Sequence, residues 1–499
     1  MKKPALLILL CTLALAAQAQ TSLADYLTRR LPKHETRAVW LTTLANLDWP
    51  KTYAKSETGI LQQKQELTDI LDCYRRANIN TVLLQTRVRA ATIYPSAIEP
   101  WDRCITGTEG CAPGFGYDPL AFAVEECHKR GMELHAWIAT IPVGAKNSMG
   151  CRLLRQKGFR IRNYATGAYL DPADPNVPSY LAAICGEIVR NYDVDGINLD
   201  YIRYPDGWPR PSYRDDDTPE RRRSNITAIV RAIHDEVKAV KPWVKFGISP
   251  FGIYHNATTS ALPGSATKGL QNYDDLYADV LYWVNQGWVD YIVPQLYWEI
   301  GHKTADYATL IKWWSKYGSK RPLVIGQDVE RTVRAADLEQ PTINQQPAKF
   351  ALQRSLPSVV GSCLWYSAVV VDNVGNYATA LRTTYHKYPA LSPDYSFIYK
   401  KAPKKPKRLK ALWMPDGYYL FWSTSSTNDE MNKATRYVIY RFEKGQERDL
   451  DNPANIVAIT SDPLYRLPYD GGLHKYVYVV TALNRIQNES KPAKKSVKL

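Results

Sequence analysis

The sequence is poor in the residues that metal and redox chemistry require. Eight histidines and eight cysteines are scattered over 499 residues. No Cys-x-x-Cys spacing occurs, and no His-x-His pair falls at a strand end, so zinc and thiol-redox chemistry lack their ligands. There is no Gly-x-Ser-x-Gly elbow for a serine nucleophile. No glycine-rich phosphate loop follows any predicted strand, which counts against a nucleotide-binding open sheet. No metal and no cofactor is therefore expected. Acid is the minority charge: 49 Asp and Glu face 64 Lys and Arg, for a formal net charge of +15.

Long apolar runs are also absent, save one at the start. "MKKPALLILLCTLALAAQAQ" has a positive Lys2–Lys3 region, an apolar stretch from Ala5 to Ala16 and a small-residue site at Ala17-Gln18-Ala19. This pattern predicts a signal peptide over residues 1–19, cleaved after Ala19. The run is too short to span a bilayer. Cys11 follows Leu10, where a lipoprotein signal wants a small residue. The expected destination is the periplasm or the cell exterior, with no membrane span and no nucleic-acid partner. Seven cysteines remain in the mature chain, so at least one thiol is free in an oxidising compartment. Cys104 and Cys111 bracket the polar loop "ITGTEG" and are the candidate disulfide. Seven basic residues crowd into "KKAPKKPKRLK" (400–410), which reads either as a solvated linker or as a contact for an anionic envelope polymer.

What is abundant is a rhythm. Eight apolar, β-branched or aromatic runs alternate with helix-period segments. They are "RAVWLTT" (37–43), "TVLLQTR" (81–87), "ELHAWIA" (133–139), "GINLDYI" (196–202), "KFGISPF" (245–251), "YIVPQLYW" (291–298), "PLVIGQD" (322–328) and "SCLWYS" (362–367). Helices are expected over 66–78, 119–131 and 225–240, the first with Leu67, Ile70, Leu71 and Tyr74 on one face. Eight such units predict an α/β fold, a (β/α)8 TIM barrel over 35–390 after an N-terminal linker (20–34). A doubly wound open sheet is the alternative. A basic linker (391–410) follows. Period-two strands at 417–423, 435–442, 455–460 and 475–483 then predict a small all-β sandwich over 411–499, immunoglobulin-like or fibronectin type III-like.

In a barrel the C-terminal strand ends form the reactive face. The fourth strand ends in Asp200, with Tyr201, Arg203 and Tyr204 just beyond. Trp40, Gln85, Arg87, Arg89, His135, Trp137, Gln295, Tyr297, Trp298, Glu299, Gln327, Asp328, Trp365 and Tyr366 lie on or near the other strand ends. Aromatic faces stack on sugar rings, and amides and carboxylates fork to hydroxyl pairs. Any one such ring is more often core than platform. Paired carboxylates suit glycoside hydrolysis, in which one acid protonates the leaving oxygen and another attacks or activates water. An ion pair between Asp200 and an arginine is the structural alternative.

Six blocks carry a resemblance: "ETRAVWLTTLANLDWP" (35–50), "NINTVLLQTRVRAATIYPS" (78–96), "GYDPLAFAVEECHKRGMELHAW" (116–137), "VDGINLDYIRYP" (194–205), "KFGISPFGIY" (245–254) and "VDYIVPQLYW" (289–298). In this order, over about 35 to 385, they resemble the glycosyl-hydrolase-like ten family. The resemblance implies a (β/α)8 barrel in exported bacterial proteins and cleavage of cell-wall glycan, notably peptidoglycan strands stripped of peptides. With the signal peptide and the sandwich, the chain resembles a Bacteroidetes-type version. The family motif places its acid at Asp200. Many relatives carry a second acid next to it, where this chain has Tyr201, and some carry one where this chain has Arg89. Asp200 is thus the expected principal carboxylate, with Glu299 or Asp328 as its partner. Arg87, Arg89 and Arg203 are expected to orient substrate or lower the pKa of Asp200. The expected partner is a carbohydrate polymer. A non-catalytic glycan-binding barrel and a scaffold protein are the competing readings.

Overall fold

A computed structural model describes residues 31–499 apart from 165–166, 259–261 and 338–339. The expected signal sequence and most of the N-terminal linker lie outside the described residues. Eight parallel strands close a barrel in sequential order: β1 (Thr36–Leu41), β2 (Thr81–Arg87), β3 (Glu133–Ala139), β4 (Gly196–Asp200), β5 (Lys245–Ser249), β6 (Tyr291–Ile292), β7 (Leu323–Asp328) and β8 (Val359–Trp365). β8 returns to β1, with Thr36 opposite Gly361. Each of the eight apolar runs read from the sequence overlaps one of these strands, β1 and β8 starting one and three residues earlier than read. No helix among the described residues is long and apolar enough to cross a membrane.

The outer layer holds α1 (Glu57–Arg76), α2 (Pro119–Lys129), α3 (Val177–Asn191), α4 (Pro219–Val240), α5 (Val280–Gln286), α6 (Tyr307–Tyr317) and α7 (Gln346–Ser355). Their starts carry side-chain caps: Ser56 accepts from Gly59, Asp118 from Leu120 and Ala121, and Thr218 from Arg221. α1 buries Leu67, Leu71 and Tyr74, leaving Ile70 partly exposed.

Strand parity divides the barrel core in two. Val39, Leu84, Ile138, Leu199, Ile248, Ile325 and Leu364 join the large cluster beneath the helices. Ala38, Trp40, Leu83, Trp137, Tyr291, Val293, Val324 and Cys363 form a separate cluster inside the barrel. Alternate residues of a strand point to opposite faces, so each strand feeds both.

Beyond the barrel come β9 (Lys407–Met414), β10 (Gly417–Ser423), β11 (Arg436–Glu443), β12 (Ile456–Thr460), β13 (Leu464–Arg466), β14 (Lys475–Leu483) and β15 (Ala493–Lys498). They pair antiparallel as β9-β10-β13 and β12-β11-β14-β15. β9 begins inside the stretch read as a basic linker. That stretch is no free tether either, since Tyr395 is buried with Ile486 in the barrel-interior cluster. An apolar ring in a proline-bearing, lysine-rich segment gives no period to read, and only tertiary packing uses it.

The sheets close the barrel floor through buried charge. Lys245 Nζ donates to both Glu133 carboxylate oxygens at 2.6 and 2.7 Å, and Gln487 Nε2 donates to Oε1 at 2.6 Å. Arg436 donates to Asp195 at 3.0 Å and to the Met132 carbonyl at 2.9 Å. His128 Nε2 lies 2.8 Å from Asp195 Oδ2. Burial opposes the charge of Glu133, and Lys245 and His135 together overcome it, holding the carboxyl below its usual range. Gly131, with φ +72°, sits where a Cβ would come within 2.8 Å of the Ile459 carbonyl of β12. It is the right residue twice over, for the turn after α2 and for the close approach.

Cys104 and Cys111 are both free thiols rather than a disulfide. Cys104 is buried in the short helix Arg103–Thr106, while Cys111 is exposed on the loop beyond it.

Two outcomes are expected in unfolding experiments. Glu133→Gln strands Lys245 in the floor while Arg436 keeps Asp195, at a cost of about 3–5 kcal/mol, whereas Glu133→Leu combined with Lys245→Met recovers most of that loss. Urea titration of the three proteins checks this. Glu35 is buried between Arg354 and Arg37, which overcome its burial and hold its pKa at about 2 against 4.5. A lowered carboxyl stabilises above its unfolded pKa. Calorimetric Tm should therefore fall as pH drops from 4.5 towards 2, this group accounting for about 3 kcal/mol.

Candidate functional site

β4 carries Ile197 and Leu199 towards the helices and Asn198 and Asp200 into the barrel. Asn198 is tied down, accepting from Ser249 Oγ at 2.8 Å and donating to Tyr291 Oη at 3.4 Å. One pleat higher, Asp200 ends the strand. The chain then turns sharply: Tyr201 adopts φ 54°, and Arg203 N–H bonds back to the Tyr201 carbonyl at 2.8 Å. A left-handed non-glycine residue stores strain of order 1 kcal/mol or more, and such strain collects at functional sites. Tyr201 is thrown out to 42% exposure, while Asp200 stays 8% exposed.

Three donors hold the Asp200 carboxyl. Oδ1 accepts from the Tyr201 N–H at 2.8 Å and from Gln295 Nε2 at 3.1 Å, and Oδ2 accepts from Trp137 Nε1 at 3.2 Å. Burial pushes its pKa up, against these bonds and the nearby Arg203 charge. An ion pair does not lock it: the Arg203 guanidinium bonds to Asp206 and stacks over Tyr201 at 5.3 Å and Phe251 at 6.0 Å.

Around the acid stands an aromatic wall. Trp365 and Tyr297 stack with centroids 6.2 Å apart and planes 20° apart. Trp40 meets both edge-on at 6.3 and 6.2 Å, and Trp137 meets Trp365 edge-on at 6.0 Å. Trp40 Nε1 is buried with no protein hydrogen-bond partner among the described residues. Burial pushes the Tyr297 hydroxyl well up, and the charges of Asp200 and Asp328 add to it, so both carboxyls lie near this ring.

Asp328 ends β7 in register with Trp365. Its Oδ1 accepts the Arg331 N–H at 2.8 Å, capping a short helix, and burial raises its pKa. Glu299 has one buried carboxylate oxygen without a protein partner among the described residues. Both acids neighbour Lys349, a fully buried lysine of α7. Lys349 Nζ donates to Thr332 Oγ1 at 2.9 Å and to the Trp298 carbonyl at 3.0 Å. Burial brings its pKa down to about 7, against the pull of Asp328 and Glu299. Sequence reasoning missed Lys349, because a lone lysine in a helix whose polar positions look solvated carries no period or motif. It also passed over Asp48, whose carboxyl accepts from Thr42 and Ala368 N–H groups at 2.8 and 2.7 Å and is pushed up to about 6 by burial. It ties the loops after β1 and β8.

Other expected site residues go elsewhere. A register shift between Gln85 and Arg87 turns Arg87 out of the barrel, where Glu99 grips its guanidinium at 2.8–3.0 Å beneath Tyr180. Arg87 is fully buried and held in a bonded pair. Gln85 faces inward, but its Oε1 is spent accepting from Thr42 Oγ1, Thr43 N and Leu44 N at 2.6–3.1 Å. His135 sits deep in the interior, its ring nitrogens 2.7 Å from Tyr291 Oη and 3.1 Å from Glu133. Trp298 has the parity of the helix-facing residues and packs edge-on against Phe251 at 5.6 Å. Gln327 alternates with Val324 and Asp328, so it follows Ile325 under the helices, fully buried. Tyr204 is buried against Trp208 and Tyr277 and lines a polar cleft of about 580 Å³ with Arg222 and Asp217. Arg89 is exposed and, with Arg203, lowers the Tyr201 hydroxyl that Asp200 and burial raise. The inward set is therefore Trp40, Trp137, Asp200, Gln295, Tyr297, Asp328 and Trp365, with Tyr201, Arg203 and Arg89 about Asp200.

A buried carboxyl with a raised pKa, walled by four aromatic rings at the C-terminal end of a barrel, can exchange a proton with a group lodged against the partly exposed Tyr297 and Trp365. Residues 35–344 match the family described as Glycosyl hydrolase-like 10. The chain belongs to that family. It is 33% identical to glycosyl hydrolase YngK of Bacillus subtilis (strain 168) over 490 residues, 93% of each chain. It is 34% identical to glycosyl hydrolase DigH of Escherichia coli (strain K12) over 309 residues, 56% of this chain and 69% of that protein. The glycoside hydrolase domain of PgaB (BpsB) from Bordetella bronchiseptica aligns with 70% of this chain and 98% of its own at 11% identity and a TM-score of 0.45.

In this glycosyl hydrolase-like 10 protein the Lys349 environment is open to a direct titration. Its folded pKa of about 7 lies below the ordinary 10.5. The cost of burying it charged is thus relieved as pH rises from about 7 to 10.5. Asp328→Asn removes an attraction that holds the lysine's proton, so the Lys349 resonance followed by NMR should titrate at lower pH than in the wild type. An unmoved or raised midpoint would separate the two groups.

Proposed function

We propose that the chain is an exported glycoside hydrolase that cleaves a cell-envelope glycan, with peptidoglycan strands as the favoured substrate. The observation that carries the reading is Asp200: an inward carboxyl at the end of β4, raised by burial and surrounded by Trp40, Trp137, Tyr297 and Trp365. Family membership and the names of the two relatives, both glycosyl hydrolases, support it. Peptidoglycan rests on the family resemblance alone. Export rests on the pattern of residues 1–19.

Asp200 acts as the principal carboxyl in this reading, and the partly exposed Tyr297 and Trp365 seat the sugar rings, backed by the buried Trp40 and Trp137. Asp328 is the favoured partner over Glu299, because it shares the Tyr297 neighbourhood with Asp200. One carboxyl protonates the glycosidic oxygen, and the other supports attack at the anomeric carbon. Gln295 and Trp137 hold Asp200 in place. The seven strands β9–β15 form an accessory module of fibronectin type III type, a proposal supported by their three-plus-four antiparallel order. A glycan-binding barrel without hydrolysis is the second reading. Tyr201, standing where many relatives carry an adjacent acid, favours it.

Reducing-end release from denuded and intact peptidoglycan tests the reading. Asp200→Asn should lower the rate about 10²–10⁴-fold while glycan binding and Tm are retained. If Asp200 is the proton donor, the rate falls as pH rises through its raised pKa, since the protonated form is then lost. Binding by both proteins with cleavage by neither, across a broad glycan panel, would favour the second reading.

A further inference from the structure

The C-terminal sheets carry a groove of about 710 Å³, and its chemistry is unlike that of the barrel mouth. Five cations line it: Lys405, Lys407, Arg408, Arg448 and Lys494. All five are exposed. No acidic side chain is among the lining residues, and none of the five is in an ion pair among the described residues. Pro406, Leu450 and Val479 supply an apolar lining. The cations come from separate parts of the chain. Lys407 and Arg408 open β9, at the edge of one sheet, and Lys494 lies in β15, at the edge of the other, opposite Val479. Lysines on exposed edges also guard against strand pairing. Arg448 is on no edge: it sits in the connection between β11 and β12 and still meets the same groove.

We propose that this groove binds a strand of acidic polysaccharide, one bearing carboxylates along its length, independently of what the barrel does. Five like charges around one concavity repel each other and raise the local potential, and a polyanion relieves both effects. Lys405, Lys407 and Arg408 come from one short stretch and Arg448 and Lys494 from two others, so several charges of a polyanion can be met at once. The apolar lining suits the aliphatic faces of sugar rings. A bilayer surface is flat and does not enter a concavity. Single-stranded nucleic acid wants aromatic stacking platforms, and no aromatic ring lines the groove. The sheets sit at the barrel floor, the end away from Asp200. The groove would thus hold a polymer without occupying the mouth.

Binding of the full chain to polygalacturonate, dextran, phosphatidylglycerol vesicles and a single-stranded oligonucleotide tests this. Polygalacturonate should bind and dextran should not, with affinity falling about tenfold or more as added salt shortens the screening length. Arg408→Glu/Lys494→Glu should lose about tenfold or more of that affinity, with Tm and any barrel activity on a short soluble glycan unchanged. Lys312→Glu/Lys320→Glu makes the same change in net charge on exposed barrel lysines and should leave binding intact. Equal loss in both double variants would reduce the effect to overall charge and overturn the proposal. So would vesicles or the oligonucleotide binding as tightly as polygalacturonate through the same residues.

Discussion

The buried charge layer at the barrel floor constrains everything above and below it. Glu133 opens β3 and Lys245 opens β5, both pointing into the barrel beneath its aromatic and aliphatic cluster. Neither charge is tolerable alone there. Together they satisfy each other only in part, and Gln487 and Arg436 of the C-terminal sheets complete the network. The sheets are thus not an appendage on a tether. They are the counter-charge and the plug, with Tyr395 and Ile486 filling the apolar remainder. The close approach at Gly131 follows from the same docking.

With its floor sealed, the barrel has one open end, and the polar groups there meet a different fate. Asp200 receives hydrogen bonds from Tyr201, Gln295 and Trp137, but no cation bonds to it directly, because Arg203 is spent on Asp206. The same burial that the floor cations overcome at Glu133 prevails at Asp200, so one carboxyl is held down and the other pushed up. The edge-on Trp40 and Trp137 are buried and shield it from water, while the stacked Trp365–Tyr297 pair is partly exposed and offers ring surface in the same space.

The eight strands were legible because a barrel stave is buried on both faces and reads as an unbroken apolar run. Asp200 was legible for the complementary reason, as the acid that breaks such a run. Side-chain direction was harder to read. A single register shift after Gln85 sends Arg87 outward. Parity alone sends Gln327 and Trp298 beneath the helices and Asp328 and Tyr297 inward. Strand ends blur parity in the sequence, and only the paired register fixes it. Lys349 and Tyr395 were invisible because their roles come from packing against segments far away in the chain.

Pairing, more than burial, separates scaffold charges from candidate reactive ones in this fold. Glu99 with Arg87, Glu35 with Arg354 and Glu133 with Lys245 are carboxyls no more exposed than Asp200, and each has a bonded counter-charge. Asp200 has hydrogen-bond donors but no bonded cation. A network built for stability neutralises its members. A carboxyl meant to trade protons must keep its charged and neutral forms close in energy, which requires burial without a fixed cation. Asp48 also meets that criterion but is spent tying the loops after β1 and β8, so among the inward carboxyls Asp200 stands first, and Asp328, shared between a helix cap and the neighbouring Lys349, stands second.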